Sequence, residues 1–259
     1  MKPKALVLQA RGSNRDYDVM QALELAGASA EGVPLNDLRR AKKSWSDYQM
    51  MVVPGGFSYA DALGAGKLLA IDLNSYFADE ITAFVAAGKP VIGICNGFQA
   101  LVKSGILPGE KNASSGAVTL TFNAKGHFEC RWVTLAPISQ TCIWTKDLDD
   151  NILCPIAHGE GNFQASFQYK MTNLVSADQI ALTYVHPDGE PARGEYPVNP
   201  NGSALDIAGI CNAQGNVLGL MPHPENHIFA HQHPRHTRGE NGESGLTLFE
   251  NGVKYAANL

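Results

Sequence analysis

Along the first part of the chain, short uninterrupted apolar runs alternate with segments whose apolar residues recur every three or four positions. Residues 5–9 (ALVLQ) form such a run and predict a central strand. Residues 16–27 carry Val19, Leu23 and Ala26 at helical spacing, with Gly27 placed to end the helix. A second strand is expected over 28–33 and a clearer one over 50–53, cut off by Pro54-Gly55-Gly56. Phe77, Ile81, Phe84 and Val85 share one side of a helix predicted over 76–87, stopped by Gly88-Lys89-Pro90. Residues 91–94 form the next short strand and run directly into Cys95, with a helix expected over 97–104. This alternation predicts an α/β fold: a mostly parallel central sheet with helices on both faces. Functional residues then belong at the carboxyl ends of strands, and the loops 54–61 and 93–99 occupy such places.

The second half reads differently. Strands are expected over 118–122, 129–134, 152–157 and 180–185, and the segments 206–212 and 216–221 flank Ala213-Gln214-Gly215 as a hairpin. These are additional antiparallel strands, and the last of them delivers the chain to Pro222-His223-Pro224-Glu225. The polar stretch 226–244, with His227, His231, His233 and His236, reads as a solvated surface excursion rather than a metal site. Residues 245–255 close the chain as a helix or an irregular segment. With no internal repeat and no linker composition, residues 1–259 are expected to form a single domain.

Composition narrows the class. A chain of 259 residues, 44% of them hydrophobic, can bury a sizeable core. The formal charge is -5 and the 20 Lys and Arg residues form no dense run, which argues against nucleic acid as the main partner while leaving room for a local phosphate. The five cysteines are odd in number and loosely spaced, so neither a disulfide framework nor a thiolate metal cage is expected. A reducing compartment, no membrane span and a cytoplasmic location are the corresponding expectations.

The densest chemical signal is Gly93-Ile94-Cys95-Asn96-Gly97-Phe98-Gln99. A cysteine flanked by glycines between a strand and a helix describes a nucleophile elbow, in which a sharp turn pushes the thiol out of the sheet. The helix amino terminus behind it favours a thiolate, and the backbone N–H of Asn96 is positioned to bind an oxyanion. Cys130, Cys142, Cys154 and Cys211 have no such context and read as structural. A thiol nucleophile needs a base. His223 follows a strand, is stiffened by Pro222 and Pro224, and has Glu225 two residues on to orient it. On spacing alone, an ordinary hydrogen-bonded histidine and a solvated glutamate fit these positions as well.

Taken together, residues 53–61 (VPGGFSYAD), 93–99 (GICNGFQ), 128–133 (FECRWV), 155–161 (PIAHGEG), 196–203 (YPVNPNGS), 207–210 (IAGI) and 221–225 (MPHPE) resemble the class I glutamine amidotransferases. Within these they resemble the glutaminase subunits of phosphoribosylformylglycinamidine synthases, nearly end to end. The resemblance implies a flavodoxin-like amidotransferase fold and hydrolysis of L-glutamine to glutamate and ammonia. It assigns the nucleophile to Cys95, the base to His223 and the supporting carboxylate to Glu225. Gly55 and Gly56 would complete the oxyanion hole with Asn96. Phe57, Ser58 and Gln99 would meet the glutamine, with His158 and Glu160 as further pocket residues and Arg131 and Trp132 ranked below them.

No phosphate-binding Gly-x-x-x-x-Gly-Lys sequence occurs, so no cofactor is expected in this chain. The resemblance implies a synthetase subunit that uses ATP and Mg2+ to activate formylglycinamide ribonucleotide in purine (IMP) biosynthesis, and a small third subunit. Some positions depart from the pattern. Residues 12–16 read GSNRD where many relatives read GTNCD, Ala60 stands where Gly is common, and Asn226 where Arg is usual. An amidotransferase subunit for a different acceptor, a cysteine hydrolase on the same scaffold and a non-catalytic binding subunit are the alternatives.

Overall fold

In the computed structural model, residues 2–109, 117–166, 171–242 and 244–259 are described. The chain runs β1 (Lys4–Gln9), α1 (Asp16–Leu25), β2 (Ser29–Pro34), α2 (Leu35–Arg39), β3 (Met50–Val53), α3 (Lys67–Tyr76), α4 (Ala78–Ala86), β4 (Val91–Ile94) and α5 (Asn96–Lys103). It continues as β5 (Val118–Thr121), β6 (Glu129–Pro137), β7 (Ile152–His158), β8 (Asn162–Ala165), α6 (Met171–Ser176), β9 (Ile180–Val185), β10 (Ile207–Cys211), β11 (Val217–Leu220) and α7 (Leu246–Ala256).

Nine strands form one sheet in the order β2-β1-β3-β4-β11-β10-β9-β6-β7. From β2 to β11 every neighbouring pair is parallel, and from β11 to β7 every pair is antiparallel. The expected parallel core and most of the expected antiparallel additions are therefore two halves of one continuous sheet, and the strand expected over 118–122 lies outside it. Ala5, Leu6 and Val7 of β1 and all of β3 and β4 are buried, which is why these strands read as unbroken apolar runs. The chain leaves β1 toward β2 on one side and passes from β3 to β4 on the other. Right-handed crossovers thus put α1 and the α3–α4 pair on opposite faces. Helix α7 packs with α1, and α5 packs with α3.

The structure corrects several boundaries. The helix predicted over 76–87 begins later: the chain breaks at Phe77 (φ −137°, ψ 14°), so Tyr76 ends α3 and α4 covers only Ala78–Ala86. Helices α2, α3 and α6 and strand β8 gave no legible signal; β8 pairs with β5 in a separate two-stranded ribbon. The polar stretch after Glu225 is not wholly solvated. His227 is buried, packs edge-on against Trp132 and contacts the carbonyl of Leu153. Among the described residues no group of three or more potential ligands is placed to hold a metal ion, and no helix is long and apolar enough to cross a membrane.

Glycine at 97 is a steric requirement, since a Cβ there would lie 1.9 Å from the carbonyl oxygen of Val53. Gly126 adopts φ +71° but a Cβ would meet nothing within 4 Å. Urea unfolding should therefore show Gly97→Ala costing about 3 kcal/mol or more, against about 1 kcal/mol for the purely conformational strain of Gly126→Ala. Equal losses would show that α5 is not pressed against β3.

Candidate active site

Strand β4 ends in an abrupt reversal. Cys95 adopts φ 50° and ψ −106°, a conformation that L-residues hold only when their surroundings over-determine it. Here the amide of Cys95 donates to Leu220 O at 2.8 Å, and its carbonyl accepts from Gln99 N at 3.0 Å as α5 begins. Gly93 and Gly97 make the turn sterically possible, because Gly93 faces Leu101 and the Gly97 backbone, and Gly97 lies on Val53. The thiol projects toward Ala157 of β7, with Sγ 3.8 Å from the carbonyl oxygen.

Strands β4 and β11 are parallel neighbours, so the chain beyond Leu220 emerges beside Cys95. The backbone of His223 is then fixed by its N–H donating to Pro155 O at 2.8 Å. His223 Nδ1 lies 2.7 Å from Glu225 Oε1, and Glu225 is fully buried. The other Glu225 oxygen has no hydrogen-bond partner among the described residues. Burial drives the His223 imidazole toward neutrality, yet the Glu225 carboxylate and the hydrogen-bonded Cys95 thiol outweigh it and raise its pKa to about 10. The ring is therefore charged at neutral pH and held between an anion and a sulfur.

On the other side of Cys95 lies a cavity of about 170 Å³. Gly56, Phe57, Gln99, His158 and Glu160 line it together with Asp61. Gly55 sits behind it, where a Cβ would lie 2.8 Å from His223 Cε1 and 3.5 Å from Cys95 Cβ. The glycine loop, the thiol and the imidazole thus share one point of closest approach. A small amide placed in the cavity would meet the thiol on one flank, with backbone amides of the loop and of the start of α5 around the attacked carbonyl.

The CobB/CobQ-like glutamine amidotransferase domain matches residues 2–256. The chain belongs to this family. It is 56% identical to a Treponema denticola protein named phosphoribosylformylglycinamidine synthase subunit PurQ, over 98% of this chain and 99% of that one. It is 42% identical to the protein of the same name from Dehalococcoides mccartyi, over 98% of both. The structure of PurLQS from Thermotoga maritima aligns with 98% of this chain and 99% of the matched chain, at a TM-score of 0.76 and 32% identity.

Within this amidotransferase fold, the residues named from sequence take distinct places. Ser58 does not line the cavity. It is buried, and its amide and hydroxyl both donate to Asn96 Oδ1, at 3.1 and 2.5 Å. Gln99 reaches the cavity, but its amide is engaged on both sides, donating to Glu160 O at 2.6 Å and accepting from Asn96 Nδ2 at 3.1 Å. Glu160 accepts from Ala65 N and pairs with Lys103 at 3.6 Å. Burial holds the His158 imidazole down at a pKa of about 3, so it is neutral. Arg131 binds Glu129 and the Tyr196 hydroxyl, and Trp132 packs on His227; neither lines the cavity.

Sequence reasoning missed two residues that hold the site together. Asp61 lines the cavity and accepts from Asn96 Nδ2 at 2.9 Å, with burial pushing its carboxyl upward against that bond. Asn123 is buried, and its side chain accepts from Gly161 N and His158 Nδ1 while donating to His127 O and His158 O. No local pattern marks an asparagine that acts through a turn 35 residues away.

The elevated His223 pKa has a definite sign. Its ordinary value is 6.5 and its folded value about 10. The stability it adds is complete below pH 6.5, declines as pH rises and is lost on passing through about 10. Nitrogen NMR, with the signal assigned by its loss in His223→Gln, should show this imidazole still protonated at pH 8. A midpoint at or below the ordinary histidine value would overturn the charged-pair description.

Proposed function

We propose that this chain is the glutaminase subunit of a phosphoribosylformylglycinamidine synthase, acting as one domain in the cytoplasm. The carrying observation is the position of Cys95 between a small cavity and a buried His223–Glu225 pair. Relatives of nearly the same length carrying that subunit name support the choice of acceptor.

In this reading L-glutamine enters the cavity with its side-chain carboxamide at Cys95. Sγ of Cys95 attacks the carbonyl carbon, with the thiol proton carried by the His223 imidazole. Amides of Gly55, Gly56 and Asn96 receive the oxyanion. His223 gives its proton to the departing amine, leaving a glutamyl thioester and ammonia. It then takes a proton from water, whose oxygen attacks the thioester and releases glutamate. Glu225 keeps the imidazole oriented and its charge balanced throughout. Phe57, Gln99, His158 and Glu160 bound the substrate, while Ser58 acts behind them through Asn96.

Ammonia is the useful product. The synthetase subunit, using ATP and Mg2+, would activate the amide oxygen of formylglycinamide ribonucleotide for displacement by ammonia, with a small third subunit in the assembly. The similar Thermotoga maritima chain belongs to a structure of PurLQS, which supports such partners.

Cys95→Ala should abolish glutamine-dependent amidation by the assembled complex and leave amidation at saturating ammonia intact. Glutamine-supported turnover in that variant would remove the nucleophile assignment. Glu225→Gln should lower glutamine turnover by roughly 10- to 1000-fold, less than His223→Ala, with KM for glutamine little changed. Wild-type turnover in Glu225→Gln would reduce the trio to a Cys95–His223 pair.

A further inference from the structure

A second cavity, of about 500 Å³, opens at the carboxyl ends of β1 and β2 and takes no part in the chemistry at Cys95. Its walls carry two arginines: Arg11, just past β1, and Arg39, at the end of α2. Among the described residues, neither guanidinium makes a hydrogen bond or ion pair. The Arg39 group lies over the Tyr76 ring, 3.8 Å from its centroid, an arrangement that leaves in-plane N–H donors free for an anion. Among the described lining residues the one carboxylate is Asp72, and one of its oxygens accepts from the Tyr59 hydroxyl. Phe77, Leu35 and the Tyr59 ring supply apolar surface. The volume lies in the range of small-ligand sites, is too large for a bare phosphate, and sits where open α/β sheets bind ligands.

The same cavity is joined to the candidate active site by a strained strap. Tyr59, Ala60 and Asp61 are consecutive residues at φ 55°, 55° and 51°, a left-handed run that non-glycine residues hold at a cost. Tyr59 lines the large cavity, and Asp61 lines the cavity of Cys95 and binds Asn96. Backbone bonds tie the strap to the arginine loop: Tyr59 N donates to Arg11 O at 2.6 Å and Phe57 N to Gly12 O at 3.0 Å.

We propose that the Arg11–Arg39 cavity is a binding site for a mononucleotide, and that its occupancy is transmitted to the Cys95 cavity through Tyr59–Asp61. The phosphate would engage the two guanidiniums and the base the aromatic and apolar wall. A phosphate drawn in beside Asp72 raises the cost of the carboxylate that anchors Tyr59. The ligand therefore has different affinities for the anchored and released strap, which is the condition for shifting between them.

Isothermal titration of the full chain with adenosine 5′-monophosphate and uridine 5′-monophosphate tests the site, with adenosine, ribose 5-phosphate and inorganic phosphate as comparisons. At least one nucleotide should bind with a Kd below about 1 mM and more tightly than all three comparisons. Arg11→Ala and Arg39→Ala should each weaken that binding about ten-fold or more, with unchanged circular dichroism. The alkylation rate of Cys95 by iodoacetamide reads the coupling without relying on glutamine hydrolysis. The bound nucleotide should change this rate at least about three-fold in the native protein but not in Tyr59→Phe, which should still bind it. Absence of nucleotide binding, binding equalled by ribose 5-phosphate or inorganic phosphate, or indifference to both arginine changes would overturn the site. An unaltered Cys95 rate in the nucleotide-bound native protein would overturn the coupling.

Discussion

The contact between Gly97 and the carbonyl of Val53 is the constraint from which the site is built. Only without a side chain there can α5 start against the end of β3, and only that start forces Cys95 into φ 50° and ψ −106°. The turn is locally unfavourable, so the surrounding sheet must hold it. The Cys95 amide on Leu220 and the flanking parallel strands β3 and β11 do so. The same helix start presents the Asn96 side chain to Ser58 and Asp61, and Gln99 to Glu160, so the two loops bounding the small cavity hang from one helical turn.

Electrostatics adds a second condition. A fully buried carboxylate such as Glu225 is costly unless paired, and the imidazole it faces is itself buried. The arrangement is stable because the protonated His223 ring faces that anion through Nδ1, and the Cys95 sulfur also raises its affinity for a proton. His158, buried within the same region without a carboxylate against it, is driven the opposite way to a pKa of about 3. Two histidines at one site therefore differ in charge because their neighbours differ.

The loop 54–61 stands between two cavities, and its conformation answers to both. Gly56 and Phe57 face the thiol cavity, while Tyr59 turns away toward Arg11 and Asp72. Three left-handed residues in succession, none of them glycine, make this reversal possible. Such strain persists only where packing and hydrogen bonds on each side maintain it, which ties the geometry beside Cys95 to interactions made well outside the cavity.

What the sequence determined by itself was whatever depends on neighbours along the chain. Unbroken apolar runs marked β1, β3 and β4 because strands buried on both faces need nothing else. The glycines around Cys95 marked the elbow because a sharp turn imposes its own local composition. His223 and Glu225 stood out through the prolines beside them and through family resemblance. The tertiary structure decided the rest. It broke the helix at Phe77, where packing rather than a glycine or proline ends α3, and it paired β5 with β8 across a long stretch of unrelated pattern, as in Val118 facing Ala165. It turned Ser58 from the open cavity toward Asn96, set Gln99 at the cavity wall between Asn96 and Glu160, and gave Asn123 its place behind His158. Hydrogen bonds between buried polar groups decide these roles, and a partner brought close by the sheet leaves no periodicity in the sequence to announce it.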